Sequence, residues 1–201
     1  MSITKRLATL LLVIALLCAA LAARAEAPIY TDEIDGFQIA LPDGWFASNE
    51  TAIAEAEEQA TFLADDGQTY LVVHFQPVTK WVSVELMMLL LAHDGIEDLR
   101  AAFPDISMID EGSVQPIGGK DFGRQVMTYR VDGAAREVAQ YVYCGELSFY
   151  ILIFTRVGTP ESDTTELTGF AEHMLSTFVA RSAASQNPAG RIITGPTSPP
   201  Q

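Results

Sequence analysis

Along the chain the apolar positions follow two rhythms, and each change of rhythm marks a new element. Phe37, Ile39 and Leu41 are separated by Gln38 and Ala40, a period of two that predicts a half-buried strand closed by Pro42-Asp43-Gly44. Residues 47–58, "ASNETAIAEAEE", are polar and acidic and predict a loop or a short surface helix. Residues 60–64 and 69–75 flank Asp65-Asp66-Gly67-Gln68, a hairpin signature because an Asp-Gly turn tolerates positive φ. A helix is predicted over 84–103, with Ser83 as its cap, Glu85 in its first turn and Pro104 at its end. Leu86, Met87, Leu89, Leu90 and Leu91 leave it little polar face, so its first half is expected to be deeply buried. Gly95 weakens its middle by about 1 kcal/mol relative to Ala, which predicts a kink or break after His93.

From 108 onward the rhythm of two returns. Strands are predicted over 108–117, 123–131, 136–144 and 147–155, joined by turns at Gly118-Gly119-Lys120-Asp121, Asp132-Gly133 and Gly145-Glu146. The run "LSFYILIF" is apolar on both alternating faces, as befits a central strand covered on both sides, and so excludes a one-layer sheet. Leu167, Phe170, Ala171, Met174, Leu175 and Phe178 then fall on one helical stripe. Pro160 and Asp163-Thr-Thr-Glu166, which resembles a capping box, fix where that helix begins. Residues 181–201 are rich in Pro, Ser and Gly, lack an apolar period and are expected to be disordered.

The N-terminus changes the picture by assigning a destination. Lys5 and Arg6 precede an apolar run of 16 residues, Leu7 to Ala22, and Ala23-Arg24-Ala25 supplies small residues for a signal peptidase. Such a run is near the lower limit for spanning roughly 30 Å of hydrocarbon, so residues 1–25 are read as a signal segment cut between Ala25 and Glu26. Leu17 stands before Cys18 where lipoprotein processing needs a small residue. The chain then divides into the signal, a single domain over 26–180 and the tail. The product is expected to be secreted or periplasmic, touching a membrane only through the segment before cleavage. One thiol, Cys144, remains in the domain, as a small apolar residue and not half of a disulfide.

Charge narrows the partners. Residues 26–180 carry seven Lys and Arg against 26 Asp and Glu, a net charge of −19. Such a surface repels phosphate backbones and anionic headgroups, so nucleic acid is excluded as a partner and a basic protein, a cation or a neutral ligand stays open.

Catalytic signatures are missing. There is no Gly-x-Ser-x-Gly elbow, His-Glu-x-x-His, Cys-x-x-Cys or phosphate-binding Gly-x-x-x-x-Gly-Lys. His74 shares a strand face with Tyr70 and Val72 and reads as a packing residue; His173 lies on the polar side of the last helix. His93 and Asp94 sit at the expected helix break and, with Trp81, form the candidate ligand groove, while Trp45 reads as core. Glu57, Glu58, Asp65 and Asp66 are the candidates for a weak calcium site near the hairpin, without the ligand spacing of an EF-hand. No cofactor is expected.

The order of these elements resembles a known family. The opening Gly36-Phe37-x-Ile39-x-Leu41-Pro42-x-x-Trp45, a strand pair, one long helix, an antiparallel meander and a terminal helix with Phe170, Met174 and Phe178 are similar to the PsbP-like fold family, which includes PsbP and DcrB-type proteins. The resemblance spans roughly residues 29–180. It implies an α+β fold, an α/β/α sandwich with an antiparallel sheet of about six or seven strands, one long helix in mid-chain and one C-terminal helix. It also implies a non-enzymatic accessory or binding role, with another envelope protein as the expected partner. The chain departs from the DcrB pattern in lacking a usable lipoprotein cysteine, and from PsbP in lacking basic docking residues, which argues against a photosystem role. The alternatives are a binder of a small ligand or cation, or a hydrolase drawing a base from His74 or His93.

Overall fold

The computed structural model describes residues 27–48, 59–92, 96–146, 148–158 and 164–180. The signal segment with Ala25 and Glu26, the acids Glu57 and Glu58, the pair His93 and Asp94, Asp163 and the tail lie outside them. Strands β1 (Ile29–Asp32), β2 (Phe37–Ala40), β3 (Trp45–Ala47), β4 (Gln59–Ala64) and β5 (Thr69–Pro77) come first. Helices α1 (Val84–Leu90) and α2 (Ile96–Ala102) follow, then β6 (Ser107–Ile117), β7 (Lys120–Val131), β8 (Ala134–Cys144) and β9 (Ser148–Gly158). Helix α3 (Thr164–Leu175) and β10 (Val179–Ala180) complete the order. This is the expected α+β class, with a seven-stranded antiparallel sheet ordered β3-β4-β5-β9-β8-β7-β6.

The helix expected over 84–103 is interrupted near the expected break: it forms two helices, with residues 91 and 92 widening into a π turn after α1. The opening strand leaves the main sheet and instead joins a three-stranded one, β1-β2-β10, because the chain after α3 returns to pair Val179 with Gln38. Its apolar residues still face inward: Phe37, Ile39 and Leu41 are fully buried. Phe37 stacks on Phe178 at 5.9 Å and meets the edge of Tyr150 at 6.0 Å. Gly36 supplies the positive φ of 67° that turns the chain there, and its carbonyl and that of Asp35 accept from the Tyr150 hydroxyl at 3.2 and 2.7 Å.

The sheet has a thick side and a thin one. On β9, Tyr150, Leu152 and Phe154 are completely buried in the main core with Leu167, Ala171, Met174 and Leu175 of α3. The alternate residues Phe149 and Ile151 pack only partly, against a small cluster formed by Val84, Met87 and Met88 of α1 with Val142 of β8. Two arginines tie α3 to the thick side. Arg124 on β7 bridges Asp110 and Glu172, both at 3.0 Å, and Arg156 on β9 bridges Glu137 and Glu166.

Candidate functional site

Two surfaces stand apart from the packed scaffold. The first is a cleft of about 290 Å3 on the thick side, between the β4–β5 turn and the first turn of α3. Trp45, Leu167 and Phe170 form its apolar wall, with Trp45 and Phe170 stacked at 5.2 Å and 20°. Asp65, Asp66, Arg156 and Glu166 bring charge to it.

Each charged group has a local cause. Asp66 holds the hairpin turn: its Oδ1 accepts the amides of Gln68 and Thr69 at 2.7 and 2.8 Å, and its Oδ2 accepts the Thr69 hydroxyl at 2.7 Å. Burial acts to raise its pKa, but these hydrogen bonds and the nearby Arg156 outweigh that and hold the carboxyl below its usual range. Asp65 rests against Gly44, whose φ of +81° closes the Pro42-Asp43-Gly44 turn. A Cβ there would stand 2.7 Å from the Asp65 Oδ2. Arg156 faces Glu137 directly across β8 and β9. Its Nε and Nη2 donate to Glu137 Oε2 at 3.1 and 2.7 Å, and its Nη1 donates to Glu166 Oε2 at 2.8 Å. Glu137 is 1 % exposed and its Oε1 has no hydrogen-bond partner among the described residues, whereas Glu166 stands 81 % exposed at the rim.

The second surface is the outward side of α1. Val84, Met87 and Met88 turn inward, and Met88 fills the space that Gly123 leaves on β7. Leu86, Leu89 and Leu90 point away and are 49, 65 and 47 % exposed, with Trp81 at 67 % just before the helix. The expectation of deep burial is corrected here: the sheet covers one side of α1 and no described element lies over the other. Cys144, half-buried near this helix, has its thiol pushed up to about 11 by burial and by Glu85.

The residues singled out in the sequence thus separate. Asp65 and Asp66 line the cleft, and Trp81 belongs to the apolar surface. Glu57, Glu58, His93 and Asp94 lie outside the described residues. Among the described residues no three His, Cys, Asp or Glu side chains converge as metal ligands. Trp45 is core, as expected, and also walls the cleft; His74 is half-buried and His173 exposed. Sequence reasoning passed over Arg156, Glu137 and Glu166, which register alone brings together, and the second apolar stripe of α1, which the sequence does carry.

No known family matches the sequence, and no curated protein does. Solved structures do. The solution structure of cyanobacterial PsbP (CyanoP) from Synechocystis sp. PCC 6803 superposes with a TM-score of 0.58 over 79 % of this chain and 95 % of that one, at 12 % identity. The crystal structure of LpqN, involved in cell envelope biogenesis of Mycobacterium tuberculosis, matches 73 % of this chain and 83 % of its own at 13 % identity, with a TM-score of 0.47. At such identity the CyanoP likeness is one of architecture, and it agrees with the order of elements described above: the chain has the PsbP-like fold.

Proposed function

We propose that this chain is a non-enzymatic accessory domain of the cell envelope that docks a protein partner through the outward side of α1. The observation that carries the reading is the cluster of Trp81, Leu86, Leu89 and Leu90, each about half to two-thirds exposed on a helix whose inward stripe is already complete. Four such side chains present at most a few hundred Å2, well below the ~800 Å2 per partner of a stable dimer. Their area suits one amphipathic helix. With Glu85 inside the patch and a net charge of −19 over residues 26–180, the fitting helix carries an apolar stripe flanked by Lys or Arg. An extracytoplasmic place for the domain is supported by the N-terminal apolar run after Lys5 and Arg6; no helix among the described residues is long and apolar enough to cross a membrane.

A photo-reactive residue at position 89, used in intact cells, tests this. The expected product joins position 89 to a Lys- or Arg-flanked apolar helix of another protein, and the same probe at exposed Arg130, away from both surfaces, gives none. Adducts with lipid or with a second copy of this chain, or equal labelling from both positions, would contradict the reading.

A further inference from the structure

We infer that the cleft between the β4–β5 turn and α3 receives a compact organic cation, an alkylammonium or guanidinium group. This site is separate from the α1 surface, since Arg156 points to the same side of the sheet as Leu152 and Phe154, opposite the α1 cluster. Asp65, Asp66 and Glu166 line the cleft together with Arg156, and the buried Glu137 lies behind that guanidinium. The surroundings are short of positive charge. They are also short of a donor, because among the described residues the buried Glu137 Oε1 has no partner while its Oε2 takes both Nε and Nη2 of Arg156.

That orphaned oxygen points to a second arrangement. Arg156 is divided between Glu137 behind it and Glu166 at the rim. A cation arriving at the rim takes over Glu166, and Arg156 can then turn wholly onto Glu137 as a two-oxygen fork, the geometry in which guanidinium and carboxylate match best. The incoming group finds charge on one side and the stacked Trp45 and Phe170 on the other, which suits a basic head with an apolar stem. A volume of about 290 Å3 corresponds, at ~30 Å3 per water, to on the order of ten waters, enough for one basic side chain or a small amine. An anion fits poorly because Arg156 is already engaged by two carboxylates. A bare metal ion fits poorly because both oxygens of Asp66 are spent on the turn.

The test follows the Trp45 indole N–H resonance of the purified protein during titration with arginine amide, butylammonium, an arginine-containing tripeptide and calcium chloride. Saturable shifts with the organic cations are expected, roughly threefold to tenfold weaker in Glu166→Gln and in Asp65→Asn, the loss of one partly exposed charge. Tighter binding of the tripeptide than of the free amines assigns the site to a side chain of a protein partner; equal binding assigns it to a free amine. Absence of saturation at millimolar concentrations, affinity unchanged in both variants, or calcium saturating the same resonance at equal or lower concentration would overturn the inference.

Discussion

Gly44 shows how much one residue settles. Its φ of +81° and the Asp65 carboxylate lying where a Cβ would go make it irreplaceable in two ways. Gly44→Ala is expected to destabilise the fold by about 1–3 kcal/mol in chemical denaturation, combining left-handed strain with the displaced carboxylate. Arg156 makes two unequal bonds. Arg156→Ala leaves Glu137 buried without its cation and is expected to cost about 3–5 kcal/mol, while Glu166→Gln at the open rim changes stability by less than about 0.5 kcal/mol. Equal losses in the two variants would contradict this division of roles. Burial also pulls the His74 pKa below its ordinary 6.5. As pH falls, the unfolded chain takes up that proton before the folded one, so the His74 contribution is complete above about 6.5 and fades below it. Denaturation midpoints from pH 7 to 5 should decline, and His74→Phe should remove part of that decline. At this scale the sequence showed the turn glycine and the buried Phe37 and Trp45, since a Gly after Pro-Asp and a strict alternation each have one structural explanation. It could not show the Glu137–Arg156 pair: the partners stand 19 residues apart and meet only because β8 and β9 take one register.

Helix α1 is held by a thin contact. Met88 occupies the space over Gly123 on β7, so Gly123→Ala pushes on a flexible thioether and not on backbone. Overpacking of this kind is expected to cost about 1–3 kcal/mol, and hydrogen exchange should locate it, with α1 amides losing protection while those of β9 keep theirs. Uniform loss across both would mean that α1 is part of the central core. The nearby thiol offers a second check. With Cys144 raised to about 11, alkylation at pH 8 should be more than about tenfold slower than for an ordinary cysteine, and denaturant should abolish the difference. The pattern of α1 was legible but open to two readings. Val84, Met87, Met88 and Leu91 complete one inward stripe, and Leu86, Leu89 and Leu90 form another. Periodicity reports that a face is apolar, not what covers it. A second apolar stripe beside a complete one is the signal that was available.

For the whole molecule, the layers explain why the two surfaces lie where they do. The thick side gathers α3 and the small sheet over the aromatic core around Phe37, Tyr150 and Phe178, and the cleft opens at its rim where the helix begins. The thin side is covered by α1, whose Val84, Met87 and Met88 pack on Val142, which leaves apolar surface outward. The fold class was readable in the sequence because antiparallel meanders and amphipathic helices are written in local periodicity. The separation of β1-β2-β10 from the main sheet was not, because it depends on a return of the chain after α3 that no local pattern encodes. The central claim is that the outward side of α1 serves a partner and not the fold. The direct measurement places a photo-reactive residue at position 81 and replaces Leu86, Leu89 and Leu90 together by Gln. The account predicts an unchanged denaturation midpoint and loss of the adduct to the partner helix. A collapsed midpoint, or an adduct that survives the three substitutions, would contradict it.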